Sequence, residues 1–106
     1  MPRREIEGRY DKAKEDLEAA LDAEFPDDGE VIGRQVGEIE SLYVHFRGAH
    51  QRLVDKLEKE GATEEVRNLL KSHSHLRGLM RGILRDANSQ LKSLGLSLLS
   101  SQSFVG

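Results

Sequence analysis

The chain of 106 residues reads as an all-α protein, and three observations lead there. Apolar residues recur at alternating steps of three and four over two long stretches, which is the period of one helix face. Charged residues make up 33% of the chain and aromatic residues 5%, a balance that suits exposed-faced helices better than strands. Proline and glycine fall where such helices would start and stop. Together these predict a long antiparallel helical hairpin preceded by a shorter N-terminal helix. The unit is expected to be a three-helix bundle or coiled-coil-like, completed by dimerisation. Residues 1–106 are expected to form one domain, because the length is ordinary for one core and short for two.

The first helix is expected over residues 3–25. Pro2 stands where a proline is tolerated at a helix start. Ile6, Tyr10, Ala13, Leu17 and Ala20/Leu21 form its apolar stripe, with Glu, Asp, Lys and Arg on the other faces. Two alanines make that stripe thin. Pro26 ends the segment, since the residue before a proline is pushed out of the helical region. Asp27 or Asp28 is then placed to cap the next helix.

The second helix is expected over residues 29–60. Ile32, Val36, Ile39, Tyr43, Phe46, His50, Leu53 and Leu57 form a heptad-like core stripe. Val31, Leu42, Ala49 and Val54 widen it, so more than one neighbour is expected. Gly61 suits a left-handed C-terminal cap and Thr63 an N-cap, with Glu64 and Glu65 favouring the positive start of a third helix. That helix, over residues 63–94, repeats the pattern through Val66, Leu69, Leu70, His73, Leu76, Met80, Ile83, Ala87, Leu91 and Leu94. Gly95 stops it. The tail of residues 95–106 is rich in serine and leucine with no charged side chain, and Leu96, Leu98, Leu99 and Phe104 are candidates to dock on the bundle or a partner.

Folding the two long stretches about residues 60–63 sets Leu57 on Val66, Leu53 on Leu70, His50 on His73, Tyr43 on Met80 and Val36 on Ala87. Helices of about 30 residues run about 45 Å at 1.5 Å per residue. A first helix of about 20 residues is too short to cover such a groove, which predicts leftover apolar surface and self-association. The interface with a second copy or a partner is accordingly expected at Ile32, Val36, Ile39, Tyr43, Phe46, Leu76, Met80 and Ile83.

Composition excludes several function classes. The formal net charge of −3 is too mild for a polyanion mimic or for a chain that is basic throughout. Without cysteine there is no disulfide, thiolate metal site or cysteine nucleophile. No signal-peptide pattern and no long apolar run appear, so an intracellular, cytoplasmic protein without membrane association is expected, with the nucleus not excluded. No phosphate-binding glycine loop, serine elbow or zinc-binding H-E-x-x-H stands in the sequence. The expectation is a non-enzyme with no cofactor, no metal and no small-molecule substrate.

Three groups of residues carry a candidate function. His50 and His73 occupy core positions facing each other, which suggests a pH-sensitive pair; two ligands do not make a zinc site. Gln51 and Ser72 are candidate hydrogen-bond partners for the rings. Arg77, Arg81, Arg85 and Lys92 make a basic line on the third helix that could grip phosphates, or pair with Glu38, Glu40 or a partner's acidic helix. The first helix, with Glu5, Glu7, Asp11, Glu15, Asp16 and Glu18, offers one such acidic counterpart. Glycines 33, 37, 78 and 82 lie inside helices at a propensity cost, which suggests close packing against a neighbour. The leading expectation is a helical protein–protein interaction or oligomerisation module, an adaptor or assembly subunit that also pairs with itself. The alternative is a small nucleic-acid-binding protein using the basic line. The likeness to helical hairpins of adaptor and coiled-coil assembly proteins is architectural only.

Overall fold

The computed structural model describes residues 2–95. The expectations for Leu96, Leu98, Leu99 and Phe104 lie outside the described residues. The protein is all-α: α1 is Arg3–Leu21, α2 is Gly29–Lys59 and α3 is Thr63–Ser93. Its extents are 52 × 20 × 19 Å, the length being set by helices of 31 residues at about 1.5 Å per residue. No helix among the described residues is long and apolar enough to cross a membrane.

α2 lies between its neighbours. Both α1 and α3 run along it and touch each other only sparingly. Three contacts fix the directions. Arg3 at the start of α1 reaches Glu60 and Glu65 at the turn joining α2 to α3. The rings of His50 and His73 stand 4.5 Å apart at mid-length. Gln90, near the end of α3, donates to Asp27 just ahead of α2. α1 and α3 therefore run opposite to α2.

The helix ends follow local chemistry. Asp28 caps α2, its carboxylate accepting from the backbone N–H of Glu30 at 3.0 Å and of Val31 at 3.4 Å. α2 closes with the N–H of Gly61 donating to the carbonyl of Glu58 and that of Ala62 to the carbonyl of Leu57. This pair of bonds is the Schellman arrangement, and it requires the left-handed φ of 73° that Gly61 adopts. The arrangement pulls Ala62 into the N-cap position of α3, so Thr63 is the first helical residue instead of the cap the sequence suggested. α1 stops at Leu21, short of the expected residue 25. Leaving the helix early frees Phe25 to pack against the core.

The stripe expected to stay uncovered is covered within the chain, while Val44, Leu70, Leu79 and Leu94 remain exposed. The connector between α1 and α2 continues where α1 ends. Phe25 packs against the core, Gln35 donates to the carbonyl of Glu24, and Gln90 binds Asp27. Beneath this connector Ile32, Val36, Ala87 and Leu91 are all buried. The residues assigned by sequence to an intermolecular interface are mostly used within the chain: Ile32, Val36, Ile39, Tyr43, Phe46, Leu76 and Met80 are 0–3% exposed, and Ile83 is partly buried against them. In this arrangement the first seven have little area to offer a second copy.

Two further expectations are corrected. Leu70 does not face Leu53; it is 53% exposed, and the neighbouring Leu69 packs on the core. Glycines 33, 37, 78 and 82 are not squeezed by any neighbour among the described residues, since a side-chain carbon added at each would meet nothing within 4 Å.

Candidate functional site

Three features outside ordinary core packing stand on this frame. The first is a cluster of rings where α1, α2 and α3 meet. Phe46 is fully buried, with the ring of Tyr10 from α1 at 5.5 Å, His50 at 5.9 Å and His73 from α3 at 5.5 Å. The heptad spacing of α2 sends Tyr43, Phe46 and His50 to the same side, and His73 arrives from the opposing stripe. The Tyr43 hydroxyl and His73 Nε2 are hydrogen-bonded at 3.1 Å. Gln51, expected to serve an imidazole, instead donates to Asp55 on its own helix. His50 is 3% exposed, and among the described residues neither its Nδ1 nor the buried Tyr10 hydroxyl has a hydrogen-bond partner.

An imidazolium needs acceptors, and none among the described residues reaches His50 Nδ1. Burial, with the neighbouring His73 adding to it, holds the His50 imidazole at about 4. His73 is lowered as well, by burial first and then by the cations of Arg77 and Arg47. The pair is therefore neutral near pH 7. Among the described residues no group of three or more metal-ligating side chains converges anywhere, and His45 and His75 are exposed on other faces.

The second feature is a shallow groove between α1 and α2 with a volume of about 490 Å³. Ile6, Val44 and Ala49 give it an apolar floor; Arg9, Lys12, Asp16 and Arg52 give it charge of both signs. Val44 is 48% exposed and Gly48 leaves open space beside it. Sequence reasoning passed over Val44 because it lies off the heptad stripe. Its signal was a β-branched apolar residue amid polar neighbours, which is weak when isolated apolar residues on a surface are ordinary.

The third is the outer face of α3. Arg81, Arg85 and Lys92 are exposed and form no ion pair among the described residues, and neither do Arg67 and Lys71. The pairing of Arg81 or Arg85 with Glu38 or Glu40 is not made. Among the described residues most ion pairs gather on α1 instead: Arg3 with Glu7, Glu60 and Glu65, Arg9 with Glu5, and Lys12 with Asp16, while Arg34 pairs with Glu30 on α2. Much of the acidic face of α1 is thus neutralised by its own helix. Comparison with protein-family models, with curated proteins and with solved structures returns no match.

Proposed function

We propose that this chain is a non-enzymatic helical interaction module, a three-helix bundle built on a long antiparallel hairpin, that pairs with a second copy of itself as part of an assembly. The observation that carries this reading is the groove between α1 and α2, where a half-exposed Val44 sits on an apolar floor between charges of both signs. A surface with both signs can be self-complementary across a two-fold axis, Asp16 of one copy facing Arg52 of the other. The apolar floor supplies area to bury, and the surrounding charges supply orientation. The earlier stripe through Ile32 and Met80 is not available for this role, being already buried.

Light-scattering mass over a concentration series tests the reading. The chain should run above monomer mass at high concentration, and Val44→Glu should return it to monomer while circular dichroism stays helical. A monomer at every concentration, or a dimer indifferent to Val44→Glu, would remove the groove as the pairing surface.

A further inference from the structure

The exposed face of α3 goes beyond that reading, because it lies on a different helix from the groove. C-terminal to Glu65, α3 carries no carboxylate until Asp86, while Arg67, Lys71, Arg77, Arg81 and Arg85 fall in between and Lys92 follows. At about 100° per residue these six cations occupy roughly a third of the helix circumference. From Arg67 to Lys92 they span about 38 Å at 1.5 Å per residue. Ser74, Gly78 and Ser89 stand between them on the same face, so the surface around the cations is low, and at Gly78 it is open. α2 adds Arg47, whose guanidinium lies 5.8 Å from the centre of the Tyr43 ring. Arg47 and Arg77 both act on His73, which puts the two cations on the same side of the molecule.

Like charges gathered along one face repel each other, and among the described residues no ion pair offsets this at Arg67, Lys71, Arg81, Arg85 or Lys92. An anionic counterpart would relieve that repulsion. Its charges must repeat along a line, since the cations recur at steps of four, six, four, four and seven residues over several turns. They need not be read by sequence: no aromatic ring stands on this face to stack on a base. The surrounding chain is net acidic, which discourages general adhesion to polyanions and leaves one face competent.

We infer that the α3 face binds the phosphodiester backbone of duplex nucleic acid, without sequence preference, through Arg81, Arg85 and Lys92 with Arg67 and Lys71 extending the track. The guanidinium groups of Arg81 and Arg85 suit phosphate oxygens in a two-pronged geometry, and the low surface at Gly78 lets the strand approach the helix.

Fluorescence anisotropy with a labelled 20-base-pair duplex tests this. Neutralising about four phosphates should make affinity fall on the order of a hundred-fold between 50 and 200 mM salt. Arg81→Glu/Arg85→Glu should weaken binding at least tenfold at low salt and flatten the salt slope by about one per lost contact. A charge-reversal control on α2, Arg34→Glu, should leave binding unchanged, and circular dichroism of both variants should remain helical. The exposed position of the altered side chains makes folding failure an outcome the control will expose; Arg81→Gln/Arg85→Gln, with smaller perturbation, then carries the comparison. The inference is overturned by any of three results: no retention at 50 mM salt, retention equally reduced by Arg34→Glu, or binding of polyglutamate as tight as that of the duplex. The last result would assign the face to an acidic protein surface. Val44→Glu should leave duplex binding intact, so failure here and failure of the pairing groove remain distinguishable.

Discussion

Along α2 run two seams of different chemistry. The seam with α1 is the closer of the two and is mostly small and aliphatic: Ala13 and Leu17 are buried, Ala20, Leu42 and Ala49 pack against the core, and only the Tyr10 ring reaches from α1 to Phe46 and His50. The seam with α3 carries Tyr43, His50, His73 and Met80, so that polar rings occupy its centre. Small side chains allow backbones to approach, and an apolar contact of this kind is indifferent to proton concentration. Rings with ionisable nitrogens hold helices further apart and tie part of the stability to pH. Two helices can thus pack on the same neighbour for different reasons and respond to different insults.

The largest expected effect comes from breaking the apolar seam. Leu17 is fully buried, and Leu17→Ala removes its contacts and leaves a cavity, for a loss of about 2–5 kcal/mol. Denaturant unfolding should register this loss by the same amount at pH 7 and at pH 5. A loss that changed markedly with pH would mean that the two seams are energetically coupled and that their separation is false.

The polar seam is expected to behave differently. In the unfolded chain His50 takes up a proton near its ordinary value of 6.5, whereas in the fold it is held at about 4. The unfolded state therefore binds more protons between these values, and stability rises with pH across that interval. Stability is complete above about 6.5 and is lost as the pH falls toward 4, with His73 contributing in the same direction. Charged neighbours do not reverse the sign. Those acting on the pair are the cations Arg47 and Arg77, while Glu7 and Asp11 of α1 line a separate groove beside Tyr10 that contains neither imidazole. The His50 share is roughly 2 kcal/mol once solvent screening is allowed for. His50→Gln should remove that share of the slope between pH 7 and 5, read from unfolding midpoints at half-unit steps. Imidazole proton shifts that titrate near 6.5 in the folded protein would contradict the burial argument directly.

What the sequence revealed of these seams, and what it hid, has physical causes. Heptad spacing alone set His50 opposite His73, since both are core positions at equal distances from the turn at Gly61. It could not choose between Leu69 and Leu70, two adjacent leucines of equal hydrophobicity, and simple reflection about the turn took the wrong one. Reflection treats helices as flat strips and ignores that side chains lean toward the helix N-terminus. The closing of the far end was missed because residues 22–28 read as a break. The useful signal was Phe25, a large apolar side chain beside Pro26 that had to go somewhere. Tyr10 was assigned to the α1 stripe, but nothing in a one-dimensional pattern says that its ring would join a histidine cluster on two other helices. The basic face of α3 was legible as a line of arginines. That Arg81 and Arg85 form no ion pair among the described residues was not, because ion pairing depends on where the carboxylates of other helices end up.

The smallest expected effect separates small residues that make a seam from small residues that do not. Ala13 and Ala49 belong to the α1–α2 seam, whereas Gly37 and Gly78 are exposed and meet no neighbour. A glycine inside a helix costs about 0.5–1 kcal/mol relative to alanine, because the unfolded chain loses more freedom on folding. Gly37→Ala and Gly78→Ala should each therefore raise stability by about that amount, visible as a higher unfolding midpoint in dilute solution where the chain is monomeric. The outcome discriminates between an open face and a covered one. If Gly37→Ala instead lowers the midpoint at high concentration and drives the mass toward monomer, the open space beside Gly37 is filled by a second copy. The pairing surface would then extend along α2 beyond the groove at Val44. If the gain holds at every concentration, Gly37 lies outside any such contact, and the approach between copies is confined to the part of α2 near α1.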